Sequence, residues 1–292
     1  MRGVRGAYGK GLLAVIVWGA SFVATRIALE SFSAFGLVAA RSWAGGLVLA
    51  GMLGLVGVRL RVAQRDWPRA VFLGVVLAVH LLLQAHGLRY TSAINTGWII
   101  GFIPVTIAIG SHALGQQRLR PLGWLGVAVG TAGVLAVTLR APPNFALAHW
   151  GDLLQIASCF TWTIYTLACG PLMQRAGALG LATVTMALAA LLVSPAAVYA
   201  GWQSGPWTSG AAAALAFLGL VCSGIAYYLW FAAQRVLGPA RLGVLLYLEP
   251  FSTLATGVVL VREPVTLNAL LGGLGVLLGV WLVARGTAHV AS

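Results

Sequence analysis

Ten apolar runs follow one another along this chain, each near the length that crosses a bilayer and separated by short connectors. They fall at about 11–29, 34–57, 70–88, 92–112, 121–139, 150–170, 178–200, 210–232, 240–261 and 266–285, and a helix needs roughly 20 apolar residues to span the hydrocarbon core. Of 292 residues, 60% are apolar and 8% charged, too little charge to clothe a soluble domain around so much apolar surface. The expected fold is all-α integral membrane, with ten transmembrane helices. No connector is long enough to house a nucleotide-binding domain.

The net charge of +13 suggests nucleic acid, but its distribution argues against that partner. Basic residues sit singly or in short clusters between apolar runs, as topology signals do. With a cytoplasmic N-terminus, the cytoplasmic ends hold Arg2, Arg5, Lys10, Arg59, Arg61, Arg65, Arg69, Arg118, Arg120, Arg175, Arg235, Arg241 and Arg285. The external ends hold only Arg26, Arg89, Arg140 and Arg262, and Arg41 lies within span 2. Both termini are thus expected in the cytoplasm. The basic-then-apolar start resembles a signal peptide, but Trp18 and Phe22 crowd any small-residue cleavage site, so an uncleaved first span is expected.

The chain also repeats itself. A shift of 146 lays Gly97 on Gly243, Pro104 on Pro250, Gly126 on Gly272 and Gly133 on Gly279, and a shift of 144 lays Trp18 on Trp162. Five spans per half is an odd number, so the second half, 145–292, enters the membrane from the side opposite to the first, 1–144. Two inverted five-helix repeats are the construction of a transporter whose site lies at mid-membrane between them.

The residues that carry a family resemblance are Glu249-Pro250 in span 9, Glu263-Pro264 at its end, and Gly272, Gly275 and Gly279 in span 10. With "WGASFVATR" in span 1, Arg41 in span 2 and "LRYTSAINTGWIIGFIPV" entering span 4, nearly the whole chain resembles the EamA-type exporters of the drug/metabolite transporter superfamily. One departure is Gln117-Arg118, where a Glu-Pro-like pair often ends span 4. The resemblance implies the same ten-helix inverted repeat and export of small metabolites. The aromatic content of the central spans is similar to that of the aromatic and neutral amino-acid exporters.

Tryptophans divide by depth. Trp67, Trp124, Trp150, Trp202, Trp207, Trp230 and Trp281 fall near span ends, where indoles anchor at the interface. Trp18, Trp98 and Trp162 lie deeper, where an indole N–H wants a partner in the bundle interior or a wet cavity; ordinary interhelical packing is the alternative. Span 6 aligns Gln155, Ser158, Cys159, Trp162, Tyr165, Thr166 and Cys169 on one face, and span 3 aligns His80 with Gln84. Span 1 aligns Trp18, Ser21 and Thr25, span 4 carries Asn95 and Trp98, and span 8 carries Ser223 and Tyr227. A central cavity lined by spans 1, 3, 4, 6, 8 and 9 is expected to take the substrate through Trp18, Ser21, His80, Gln84, Asn95, Trp98, Trp162, Tyr165 and Tyr227.

Glu249 is the one carboxylate well inside a span. It reads as a proton carrier, as the partner of a substrate ammonium, or as a structural hydrogen-bonding group beside a helix break. Arg41 either meets a substrate carboxylate, braces neighbouring helices or snorkels outward. Pro104 and Pro250, matched between the halves, read as paired hinges, with Glu249 the asymmetric conformational element. Glycines four apart on spans 5 and 10 point to tight packing inside a monomeric bundle rather than to a dimer.

The three cysteines lack metal-ligand spacing, and the sequence contains no P-loop, no His-Glu-x-x-His and no Gly-x-Ser-x-Gly. No metal, cofactor or catalytic residue is therefore expected, and an intramembrane enzyme built on His80 would lack an acid to orient it. The expected partners are the bilayer and a small-molecule substrate. The expected activity is secondary transport by alternating access, exporting aromatic and neutral amino acids; purines, riboflavin-like compounds or drugs are the alternative cargo. Protons are the candidate coupling ion, against facilitated diffusion.

Overall fold

The computed structural model describes residues 2–58, 60, 62–115, 117–138 and 147–289. The expected junction of the halves at 144/145 lies outside them, as do Arg59, Arg61 and Arg140. The described chain is almost entirely helical: α1 (Arg2–Ala28), α2 (Ala34–Leu55), α3 (Trp67–Gly87), α4 (Ala93–Ile100), α5 (Ile103–Ala113), α6 (Pro121–Thr138) and α7 (Leu147–Ala168). Then come α8 (Gly170–Ala200), α9 (Ser209–Ala216), α10 (Tyr227–Leu237), α11 (Pro239–Gly243), α12 (Glu249–Val261) and α13 (Leu267–Arg285). Several join into continuous rods. Among the described residues, eight such stretches are long and apolar enough to cross a membrane, and Pro121–Val137 is a shorter apolar helix. The 22-residue α7, which carries the polar face of span 6, runs beside them.

The all-α expectation needs one correction. Gln117–Leu119 (β1) pairs antiparallel with Thr287–His289 (β2), tying the segment after α5 to the end of the described chain. The connector before α6 is too short to fold back as a helix, so its backbone groups pair across to the other strand.

Both expected hinge prolines sit at breaks. Helix α4 stops at Ile100, and α5 restarts with Pro104 in its first turn. In the last-but-one rod a tight 3-10 stretch, Val244–Leu248, hands over to α12 with Pro250 in its first turn. A proline in the first turn of a helix has no hydrogen bond to lose, so the chain breaks just before it rather than straining through it. Gly177 breaks α8 in another way: its φ of 75° turns a short leading segment into the long helix, a conformation a Cβ disfavours.

Helices α6 and α13 lie antiparallel with glycine against glycine. A Cβ on Gly126 would sit 2.5 Å from the Gly279 carbonyl oxygen, and one on Gly272 would sit 2.7 Å from that of Gly133. The wider packing is reciprocal as well. Helix α3 packs on α8, while α2 packs on the wide π-type turns of Phe217–Ala226 that join α9 to α10. Helix α1 packs on α10 and α12, while α7 packs on α3 and on α4 and α5.

Apolar side chains such as Leu47, Val259, Leu260, Leu271 and Leu274 face outward, the surface a bilayer covers. Trp67, Trp124, Trp150, Trp202, Trp207 and Trp281 are exposed near helix ends, and the Arg285 guanidinium lies 4.4 Å over the Trp281 ring. Trp230, expected at the interface, is fully buried. Its rod continues to Leu237 rather than ending near 232, which places Trp230 seven residues inside the helix end.

Candidate functional site

A central cavity of about 30 Å³ lies where the rods cross. Helix α1 supplies Trp18 and Ser21, α2 supplies Arg41, α3 supplies His80 and Gln84, α7 supplies Trp162, α10 supplies Tyr227, and α12 supplies Glu249. Ile100 and Leu246 complete it beside Ile103, which sits one residue before Pro104 as Glu249 sits one before Pro250. The volume is room for a water or two, less than an amino acid needs.

Its walls are aromatic. The Trp18 ring meets Trp162 edge-on at 5.2 Å and Tyr227 at 5.2 Å. Trp230 backs them at 5.2 Å from Trp18, and His80 lies 5.1 Å from Trp162. The two edge-to-face contacts of Trp18, with Trp162 and Tyr227, hold these rings in fixed orientations beyond simple area burial. Trp18 is anchored further: its indole Nε1 donates to the Cys222 carbonyl at 3.2 Å, in the π-type turns. Trp162 has no such anchor: among the described residues its buried Nε1 finds no hydrogen-bond partner.

The polar groups are set with equal definition. Ser21 donates to the Trp18 carbonyl at 2.6 Å. His80 Nδ1 lies 3.1 Å from the Ser158 carbonyl and 3.1 Å from Thr161 Oγ1. The carbonyl can only accept from Nδ1, whereas the Thr161 hydroxyl can donate to it or accept from it, so the two contacts hold the ring in place in either tautomer. Arg41 is buried and donates through Nε to Ser223 Oγ at 3.0 Å, so it points into the bundle rather than snorkelling. Glu249 is 3% exposed, and its Oε2 has no hydrogen-bond partner among the described residues.

Six of the nine expected substrate residues therefore meet around one small space: Trp18, Ser21, His80, Gln84, Trp162 and Tyr227. Tyr165 stands behind them, stacked 5.8 Å from Trp162, with its hydroxyl 2.7 Å from Thr185 Oγ1. Trp98 lines neither this cavity nor the vestibule described next; it packs 5.9 Å from Phe251 and against the bare face of Gly273. Asn95 lies in the first turn of α4, at the end of the bundle, and lines the vestibule.

That vestibule, about 710 Å³, opens among Arg26, Glu30, Asn95, Arg262, Glu263 and Asn268. Glu263 organises it. Its carboxylate accepts from the backbone N–H of Ala93 at 3.2 Å and of Ile94 at 3.0 Å, and lies 3.6 Å from Arg26. It thereby caps the N-terminus of α4 from a distant part of the chain, where a negative charge is favoured. The Glu263-Pro264 pair was visible in the sequence, but its partners 169 and 170 residues away were not.

The comparisons with known proteins agree with this architecture. A solved crystal structure aligns with a TM-score of 0.71 at 22% identity, covering 95% of this chain and 97% of that one, which establishes the shared fold. An uncharacterized transporter of Archaeoglobus fulgidus is 26% identical over 92% of this chain and 94% of its own length. A probable terminal-alkyne amino-acid exporter of Streptantibioticus cattleyicolor is 27% identical over 94% of this chain and 92% of its own. The profile of the EamA-like transporter family matches residues 7–139 and matches again at 149–285. This multi-pass membrane protein belongs to the EamA-like transporter family.

Proposed function

We propose that the chain is a secondary transporter that exports aromatic and neutral amino acids by alternating access. The observation that carries this reading is the meeting of Trp18 with Trp162 beside the small central cavity. Matched tryptophans of the two halves touch at the crossing point of the bundle, where the substrate of an inverted-repeat transporter sits. Indole and phenol walls suit an apolar or aromatic side chain, and the polar groups between them suit a small zwitterion. A relative named as a probable amino-acid exporter gives the cargo further support.

The scaffold in this reading has ten crossings in two inverted repeats, 1–144 and 145–292. Two facts support it: the double family match and the reciprocal glycine contacts of α6 and α13, as a two-fold axis produces. Pro104 and Pro250 would let the rods bend on each side as the halves rock. The chain would work as a monomer in the bacterial inner (plasma) membrane, with both termini cytoplasmic, as the arginine distribution indicates.

Purified protein in liposomes tests the proposal. Preloaded unlabelled phenylalanine should drive uptake of labelled phenylalanine, and adenine should not. Counterflow of the purine with none of phenylalanine would move the cargo to the alternative class. A flux that ignores an imposed pH gradient assigns facilitated diffusion; one that follows it assigns proton antiport.

A further inference from the structure

We propose that Arg41 and Glu249 are the two poles of a clamp for the α-carboxylate and α-ammonium groups of an amino acid. This rests on the amino-acid reading above and assigns the head-group contacts within it. Arg41 and Glu249 are 6% and 3% exposed, and both line the central cavity. Opposite charges buried in a membrane protein normally pair with one another, because each alone is costly. These two do not. Among the described residues, Arg41 has its Nε on Ser223 and no carboxylate partner, while Glu249 Oε2 has no partner at all.

The donor and acceptor pattern gives the ligand its chemistry. A guanidinium and an indole N–H only donate, and an ionised carboxylate only accepts. Arg41 and the unpartnered Trp162 Nε1 therefore call for an acceptor, and Glu249 for a donor. A zwitterion supplies both within one small head group, leaving its side chain against the rings of Trp18 and Tyr227. An arginine also offers the planar geometry that takes a carboxylate through two hydrogen bonds.

Symmetry sharpens the assignment. The tryptophan pair of this site and the prolines beside it recur in both halves, but its charges do not. Glu249 has Ile103 as its mate, and the positions matching Arg41 at shifts of 144 to 146 are Thr185, Met186 and Ala187. A scaffold that merely needed buried charge for folding would gain the same benefit twice. One cation and one anion around a shared space make an asymmetric pair, as an asymmetric substrate requires.

The test is a binding series on the full-length protein in detergent, with L-phenylalanine, phenethylamine and 3-phenylpropionate as probes. The two truncated analogues should each bind about tenfold or more weakly than phenylalanine, the scale of one lost charged contact. Glu249→Gln should weaken phenylalanine to a similar extent and leave 3-phenylpropionate unchanged. Arg41→Gln should do the converse, sparing phenethylamine, with Arg41→Lys recovering part of the loss. The analogue series on the unaltered protein decides the matter even if a variant fails to fold. Analogues binding as tightly as phenylalanine would overturn the clamp and leave the amino-acid reading standing. Binding of adenine, with none of the twenty amino acids bound, would overturn both.

Discussion

Helix α12 carries two Glu-Pro pairs, one at its start and one just beyond its end, and they have opposite fates. Glu263 is satisfied three times over, by two backbone N–H groups of α4 and by Arg26. Glu249 lines the central cavity, and its Oε2 has no partner among the described residues. The same dipeptide thus serves as a cap that joins the last-but-one rod to α4, and as an open polar group at the crossing point. Eight buried side-chain polar atoms lack a partner among the described residues; Glu249 Oε2 differs from most of them in belonging to a cavity-lining residue, which is what points to a ligand.

The sharpest way to break this contrast is to truncate both acids. Glu263→Ala leaves two N–H groups and Arg26 without their acceptor, and should cost about 2 kcal/mol of stability. Transport per folded molecule should stay near the parent value. Glu249→Gln should leave thermal stability within about 0.5 kcal/mol, since no bond to Oε2 is lost. Its transport should nevertheless fall about tenfold or more. Melting curves and liposome flux read both variants side by side. Equal losses of stability would make Glu249 a second structural acid.

The part of this contrast readable without coordinates was the position of each pair along its run, since Glu249 falls mid-run and Glu263 at a boundary. Their partners were not readable, because a cap contributed from 169 residues away leaves no local pattern. Trp18, His80 and Trp162, aligned by helical periodicity, are buried and line the cavity, each within a regular helix; Tyr227 does so at the end of the π-type turns. Periodicity failed where depth or chain direction mattered more. Asn95 belongs to the bundle end because it is one turn from the start of α4. Trp230 was placed too shallow because its helix runs on through Phe231–Leu237, a stretch whose glutamine and arginine look like a boundary. The β1–β2 pairing had no signal in either three-residue segment.

A second comparison sets the two proline breaks against each other. Pro104 follows Ile103 and Pro250 follows Glu249, at equivalent borders of the same cavity. If both breaks serve as hinges, Pro104→Ala and Pro250→Ala should each slow flux severalfold, with phenylalanine affinity unchanged, because alanine lets the helix close its hydrogen-bond ladder and stiffen. Turnover and binding measured on the same preparations separate this from damage to the site. Loss of flux in one variant only would make the hinge one-sided and confine bending to that rod.

The smallest expected effect isolates one hydrogen bond. Trp18 and Trp162 are matched by sequence and touch in space, but only Trp18 has a partner for its indole N–H. Replacing either by phenylalanine removes the same volume from the same cluster, so the packing losses should roughly cancel between the two variants. What remains is the bond from Trp18 Nε1 to the Cys222 carbonyl. Trp18→Phe should therefore be less stable than Trp162→Phe by about 0.5–1 kcal/mol, the range of interhelical hydrogen bonds in membranes. Binding should rank the other way, because Trp162 Nε1 is the indole N–H of this pair left without a partner among the described residues. Parallel thermal and binding titrations of the two variants give both orders. The reverse order in either would show that matched position, rather than hydrogen bonding, governs these two indoles.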